Sequence, residues 1–328
     1  MRKEIAMSSV DTEAAVLLGV GGRDRLSDGT IAFVVETAER LGLGVELVHA
    51  VPAVLGGPTG AWEVGIAFGQ LVSEGEARLE EAATRVRSRL GSKQPVTTQL
   101  VRGGAVGTLV DRSRSAQLVV LERRHLGRWE RLAEGSITAG VAARAHAPVV
   151  SVPRGWRPPQ QPRPITVAVE DAARADAEVW TALGLAAAED LPVQILRVVY
   201  LPEAYQEILR RETPEQDLLR LAHDELVRDT NLPDSICDRV PCTFTVRWGR
   251  PAEVLVDASA ASSMLVVARR DPRLPFGSHL GPIVRHVLDH ATCPVMVVEP
   301  RLAEDLTAAE SFDDVLSGRA AARLVFEF

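Results

Sequence analysis

The chain has 328 residues, of which 46% are hydrophobic and 4% aromatic, with a formal net charge of −7. This length fits two domains, and the composition predicts cores built from alanine, valine and leucine. The acidic balance argues against a general nucleic-acid binder, which presents a basic surface. The apolar runs are shorter than the roughly 18 residues of a membrane span, and the glycine-broken N-terminal run does not read as a signal peptide.

The first half of the sequence alternates short apolar runs with helical segments. The runs predict strands near 15–20, 45–51, 97–102, 118–122 and 149–152. A helical stretch over 27–42 follows the first run, and another helical stretch follows Gly135–Ser136. Strands that alternate with helices predict right-handed crossovers and a parallel sheet covered on both faces. Ligands of such folds bind beyond the carboxyl ends of the strands, which we call the rim.

The later part of the first half recurs in the second half at a fixed offset of 146 residues, whereas the front parts match more loosely. Leu109-Val110-Asp111 recurs as Leu255-Val256-Asp257, and Arg123-Arg124 recurs as Arg269-Arg270. Matches at one offset over such a length indicate duplication of a whole domain. The repeat predicts strands near 165–170, 193–199, 243–247, 264–268 and 295–298. The predicted organisation is a first domain at 1–153, a proline-rich linker at 154–164, a second domain at 165–300 and a C-terminal extension at 301–328.

Three segments resemble the universal stress proteins in their tandem two-domain form. They are GSITAGVAARAHAPVVSV (135–152), GRPAEVLVDASAASSMLVVARR (249–270) and GPIVRHVLDHATCPVMVV (281–298). The resemblance implies an α/β fold of two tandem Rossmann-like domains, similar to the adenine nucleotide alpha hydrolases, each with a five-stranded parallel sheet flanked by helices. It also implies that the fifth strands, which pair antiparallel in dimers of the family, pair within this chain.

Members of the family that bind ATP carry Gly-x-x-Gly, nine residues and then Gly-Ser or Gly-Thr. The glycines let backbone N–H groups approach phosphates, and the last glycine opens a helix whose N-terminus favours anions. In the first copy Gly135–Ser136 matches the end of the motif, whereas Glu122 and His125 stand at the two leading glycine positions. Gly21 stands where the family has an aspartate near the adenosine.

The second copy departs further from the ATP-binding motif. Gly281 matches the last glycine, but Pro282 replaces the hydroxyl residue and lacks an N–H. Ala268 and Asp271 stand at the two leading glycine positions, and Glu170 stands at the aspartate position. Carboxylates near bound phosphates would repel them. The sequence therefore predicts a poor triphosphate site in copy two and an impaired one in copy one.

The repeated arginine pairs allow two interpretations. They form either an anion clamp that replaces the missing glycine cradle, or solvated loop charge. The resulting candidates for nucleotide binding, if it is retained, are Gly21, Val51, Arg123, Arg124, Gly135, Ser136, Glu170, Arg269, Arg270 and Gly281.

Other reactive residues give weaker patterns. His286, His290 and Cys293 would share the face of a continuous helix, as zinc ligands do, but they fall in the family-like ending, and we predict no metal site. Asp111 and Asp257 lie in different domains and are expected to face solvent. No catalytic triad is readable. Cys237, Cys242 and Cys293 are an odd number without a CxxC motif, which predicts reduced thiols in a cytoplasmic protein.

Three functions follow as hypotheses. The favoured one is a stress-response regulator with weak or lost ATP binding that acts through protein partners or self-association, without nucleic acid or membrane. The second is a sensor of a nucleotide or small anion at the rim of domain one. The third is an ATP-hydrolysing enzyme. The C-terminal extension is expected to be an added edge strand or a disordered tail.

Overall fold

The structure is a computed structural model that describes residues 15–21, 24–52, 61–92, 94–123, 137–201, 214–270 and 279–299. The predictions for Arg124, His125, Gly135–Ser136, Asp271 and the C-terminal extension lie outside these residues. None of the helices within the described ranges is long and apolar enough to span a membrane.

Copy one alternates strands and helices as predicted. Its elements are β1 (Ala15–Gly19), α1 (Asp28–Leu41), β2 (Gly44–Val51), α2 (Ala61–Arg87), β3 (Val96–Arg102), α3 (Ala105–Arg112), β4 (Ala116–Arg123), α4 (Ile137–Ala142) and β5 (Val149–Pro153). Helix α1 begins where the Ser27 side chain caps the Thr30 N–H at 3.2 Å. It ends at Gly42, whose φ of 67° is the left-handed conformation that glycine adopts without strain.

Copy two repeats this order. Its elements are β6 (Ile165–Val169), a 3₁₀ turn (Ala172–Arg174), α5 (Asp176–Glu189), β7 (Val193–Val199), α6 (Glu215–Thr230), α7 (Asp234–Cys237), β8 (Cys242–Trp248), α8 (Pro251–Ser259), β9 (Met264–Ala268), α9 (Pro282–His290) and β10 (Val295–Val298). The predicted strands are confirmed in both copies, with ends that differ by no more than a residue or two.

The described strands form one sheet in the order β3-β2-β1-β4-β5-β10-β9-β6-β7-β8. Neighbours within each copy are parallel, whereas β5 and β10 are antiparallel, with Val150 opposite Met296. These two residues are equivalent in the repeat, so a pseudo-two-fold axis passes between them. The expected pairing of the fifth strands within the chain is confirmed.

Helices cover both faces of the sheet and give two continuous cores. One core packs α1, α2, α5 and α6 on the first face. The other packs α3, α4, α8 and α9 on the opposite face. Residues of β4 alternate between them: Leu118 and Val120 join the first core, and Val119 and Leu121 join the second. Both cores extend across the junction between the copies.

The proline-rich linker is held at both ends. Trp156 packs edge-on against Phe33 with ring centroids 5.9 Å apart. Its carbonyl oxygen would lie 1.9 Å from a Cβ at Gly29, so the close approach of linker and helix α1 admits only glycine there. At the other end, Arg163 Nη1 donates to the Ala260 carbonyl at 2.8 Å.

Replacing Ser151 by alanine is expected to raise the free energy of unfolding by about 1 kcal/mol, because a buried hydroxyl without a partner costs stability. Ser151 is 0% exposed, and its Oγ has no hydrogen-bond partner among the described residues. The equivalent residue in copy two is Val297. Urea denaturation checks this, with Ser262→Ala as the matched control. Ser262 is also buried, at 3% exposure, but its hydroxyl bonds to that of Thr166 at 2.7 Å, so the loss of this hydroxyl should lower the stability. Equal destabilisation by both changes would contradict the expectation.

Candidate functional site

The rim of copy one combines an open position with a filled one. Gly21, beyond β1, is exposed, and no atom of the described residues lies within 4 Å of a Cβ built there. The described residues therefore leave space for a Cβ at this position. Val51, at the end of β2, is buried at 1% exposure and contributes packing rather than a polar group.

Glu122 fills the other part of this rim. Its side chain is 2% exposed and bends toward the start of α1. Its Oε2 accepts from the Ser27 N–H at 2.6 Å and from Thr30 Oγ1 at 2.8 Å. Its Oε1 accepts from Arg154 Nη1 at 3.2 Å, and Arg154 also lies 3.5 Å from Asp24. A carboxylate of the chain itself thus occupies the positive N-terminus of α1.

A different glutamate does the same in copy two. Glu178 is the third residue of α5 and is 5% exposed. Its carboxylate bonds to its own backbone N–H at the start of the helix, while its Oε2 has no partner among the described side chains and backbone. The pKa of Glu178 is raised to about 7, mainly by burial and to a smaller extent by the nearby Asp176.

Both copies therefore place a buried acidic residue at the start of the first helix, but they take it from different elements. In copy one the strand supplies Glu122 and the third residue of α1 is Thr30. In copy two the equivalent strand residue is Ala268, and the third residue of α5 is Glu178. Each copy thus buries one carboxyl group at the start of its first helix, a position that favours acidic groups.

Arg123 does not face the rim on which the anion-clamp interpretation places it. Its side chain is 7% exposed and crosses into copy two. There Nη1 donates to the Leu288 carbonyl at 2.7 Å, and Nη2 donates to the Ala291 carbonyl. Burial lowers the pKa of Arg123, while Asp289 and Cys293 oppose that shift. Its guanidinium fastens the end of α9 to copy one.

Arg269 makes the reciprocal contact. It is 9% exposed, and its Nη1 donates to the Ala145 carbonyl of copy one at 3.0 Å. Ala145 is the repeat equivalent of Ala291, so the two arginines obey the pseudo-two-fold axis. The Arg269 Nη2 also lies 2.8 Å from Glu299. As described, both guanidinium groups serve the junction between the copies, which replaces the anion-clamp interpretation for Arg123 and Arg269.

Arg270, unlike Arg123 and Arg269, lies at the rim. It is exposed, and its Nε would lie 3.2 Å from a Cβ at Gly281, the N-cap of α9. Pro282 then occupies the first helical position, so this helix start offers one donor fewer than usual. Glu170 is exposed at the end of β6. Arg124, Gly135 and Ser136 lie outside the described residues.

The histidines and the cysteine of the family-like ending lie apart from the rim residues described above. His290 Nδ1 contacts the carbonyl of His286 at 2.9 Å, and Cys293 is buried beyond the end of the helix. Within the described ranges no group of three or more His, Cys, Asp or Glu side chains is placed to hold a metal ion. Asp111 and Asp257 are exposed, as expected. Sequence reasoning missed Glu178, because an acidic residue in a first helical turn ordinarily faces water.

Replacing Thr30 by valine is expected to lower the free energy of unfolding by about 2 kcal/mol, because a buried hydrogen bond to a charged acceptor is lost at constant shape. Chemical denaturation measures the change. Thr84→Val is the matched control, since Thr84 is an exposed helical threonine whose hydroxyl lies 3.5 Å from Glu80. A Thr30 variant as stable as this control would contradict the role given to Glu122.

Comparison with known sequences places this geometry in context. The pattern of the Universal stress protein family matches residues 15–153 and 162–299. A universal stress protein of Mycobacterium tuberculosis is 24% identical over 332 residues, which cover 91% of this chain and 98% of the relative. Another, from Mycolicibacterium smegmatis, is 26% identical over 300 residues, which cover 88% of this chain and 98% of the relative.

Solved structures agree with the fold. A universal stress protein from Archaeoglobus fulgidus superposes with a TM-score of 0.60 at 12% identity, covering 88% of this chain and 97% of that one. A putative universal stress protein from Pseudomonas aeruginosa gives a TM-score of 0.50 at 12% identity, covering 96% of this chain and 99% of that one. At such identities the likeness concerns the fold alone.

Proposed function

Because the chain belongs to the universal stress protein family, we propose that it is a stress-response regulator in which ATP binding is weak or lost and which acts through protein contacts. Membership of the family supports the stress-response part of this proposal. The loss of ATP binding and the protein-contact mechanism are the parts that the proposal adds.

The observation that carries the proposal is the pair of buried carboxylates at the helix starts. Glu122 accepts three hydrogen bonds, from Ser27, Thr30 and Arg154, that a phosphate would have to compete for. A phosphate brought beside this carboxylate would meet like charge in a site shielded from water. In copy two the Glu178 carboxyl group lies at the equivalent helix start, where it accepts a hydrogen bond from its own backbone N–H.

The sheet topology supports action through other surfaces. The fifth strands, which pair between subunits in dimers of the family, are already paired with one another here. At the ends of the described sheet lie β3 and β8. Helices α2 and α6 carry exposed apolar side chains, among them Ile66, Leu71 and Leu221. Partner contacts through these elements would leave the junction between the copies intact.

Two measurements test the proposal. The purified chain is expected to release far less than one nucleotide per chain on denaturation, because no tight complex survives purification. Millimolar ATP–Mg²⁺ is expected to leave the melting temperature unchanged. By contrast, a ligand present at 100 times its Kd would stabilise the folded protein by about 2.7 kcal/mol. Stoichiometric nucleotide or a clear thermal shift would overturn the loss of ATP binding.

The alternative function is a sensor of a nucleotide or small anion at the rim of copy one. The open position at Gly21 favours it, since ligand atoms find room there. Thermal shifts with AMP, inorganic phosphate and sulfate distinguish the two: stabilisation by one of these without a response to ATP would favour the sensor. Steady phosphate release from ATP would favour the third function, hydrolysis.

A further inference from the structure

Two cysteines lie at the edge of copy two where the parallel strands begin, on the side opposite to the rim. Cys237 is the last residue of α7, and Cys242 is the first residue of β8. Four residues separate them in sequence, and the Cys237 side chain is one of the groups that raise the pKa of the Cys242 thiol. The two side chains therefore lie close enough to interact in the reduced protein.

The surrounding backbone holds this pair in place. On the helical side Ile236 is 0% exposed and Val240 is 2% exposed, so both anchor the turn in the core. The Val240 N–H donates to the Ile236 carbonyl at 2.8 Å and closes the turn. On the strand side Cys242 pairs with Val193 of β7, whose N–H donates to the Pro241 carbonyl at 2.8 Å. The turn that brings the two cysteines near each other is thus fixed by backbone hydrogen bonds.

The two thiols differ from the third cysteine in access. Cys237 and Cys242 are both partly exposed, whereas Cys293 is 2% exposed. Cys242 also lies 3.1 Å from the Val240 carbonyl, to which its S–H donates. Burial raises the pKa of the Cys242 thiol to about 12, and the neighbouring Cys237 contributes to that shift. Cys242 consequently stays protonated near neutral pH, which suits it to the second, resolving step of an exchange.

We propose that Cys237 and Cys242 are a redox modification site, which a low-molecular-weight disulfide converts reversibly into an intrachain disulfide. The Cys237 thiolate attacks one sulfur of the oxidant and releases its other half as a thiol, which leaves a mixed disulfide on Cys237. The Cys242 sulfur, as it gives up its proton, then attacks the Cys237 sulfur and releases the second thiol. The protein loses two electrons and two protons, and the oxidant gains them.

Oxidation of the full chain with oxidised glutathione tests the proposal. Of the three cysteines, one free thiol is expected to remain after unfolding in denaturant, and the mass should fall by two hydrogen atoms. Tandem mass spectrometry should locate the link between Cys237 and Cys242, and dithiothreitol should restore all thiols. Faster oxidation is expected at higher pH, because the reaction consumes thiolate.

Single substitutions make the test specific. Cys293→Ser should still lose two hydrogen atoms, because it leaves the pair intact. Cys242→Ser should stop at one glutathione on Cys237, because the resolving thiol is missing. Cys237→Ser should form no intrachain link. A wild-type chain that keeps all its thiols, forms only disulfides between chains, or loses hydrogen equally in Cys237→Ser would overturn the proposal.

Discussion

Replacing Arg123 by methionine is expected to lower the free energy of unfolding by about 3 kcal/mol, because two charge-assisted hydrogen bonds across the junction are lost. The guanidinium donates to the carbonyls of Leu288 and Ala291. Both carbonyls lie at the end of α9, where no later helical turn supplies donors. Burial of the positive charge offsets part of the stability that these hydrogen bonds provide, as the lowered pKa of Arg123 indicates.

Urea denaturation of the full chain measures this effect. Arg144→Met is the matched control, because Arg144 is exposed and its Nε donates at 3.2 Å to the Gly140 carbonyl in α4, which ends two residues before it. That control should change the stability by less than about 0.5 kcal/mol, as exposed substitutions usually do. Arg269→Met should resemble Arg123→Met, since it breaks the reciprocal bond to Ala145. Equal stabilities of the Arg123 and Arg144 variants would contradict the role of the arginines at the junction.

Replacing Glu178 by glutamine is expected to remove a pH dependence of stability on the order of 3 kcal/mol between about pH 4.5 and pH 8. The folded-state pKa of Glu178 is raised to about 7 from its ordinary value of 4.5. The folded protein therefore holds this proton more tightly than the unfolded chain does. Stability from this group is fully present below pH 4.5 and is lost as the pH rises through 7.

The measurement is the free energy of unfolding of both proteins at several pH values across this range. The difference between wild type and Glu178→Gln should grow in favour of the variant as the pH rises. Glu253→Gln is the control, because Glu253 lies in the first turn of α8 and is exposed. The absolute stability of the Glu178 variant is not the test, since glutamine introduces a buried amide. A difference that is independent of pH would contradict a buried, protonatable Glu178.

The fold was predictable from the sequence because the repeat confirms each element twice. Apolar runs located the ten strands, and the family-like endings implied the antiparallel pairing of β5 and β10. Element positions follow from local patterns of hydrophobicity. The sequence also placed Gly21 and Glu122 at the rim, since Gly21 follows one predicted strand and Glu122 ends another.

The role of Arg123 was not read from the sequence, although a signal was present. Successive residues of a strand point to opposite faces of a sheet. Since Glu122 turns to the face of α1, Arg123 must turn to the opposite face, where α9 packs across the junction. The sequence showed an arginine at this position in both copies, Arg123 and Arg269. Only the sheet topology shows that both positions lie at the junction between the copies.

The role of Glu178 could not have been read at all. An acidic residue in a first helical turn is common because it complements the helix dipole. Its burial depends on the packing of α5 against the sheet. The proximity of Cys237 and Cys242 depends likewise on a turn whose geometry the spacing of four residues does not define. Such features rest on tertiary packing that no local pattern encodes.

The central claim is that carboxylates of the chain stand where ATP phosphates would bind. A calorimetric titration of the full wild-type chain with ATP–Mg²⁺ tests it most directly. We expect no saturable heat up to millimolar ATP, because a phosphate must compete with Glu122 for Ser27, Thr30 and Arg154. A saturable isotherm with one or two ATP molecules per chain and a micromolar Kd would contradict the claim.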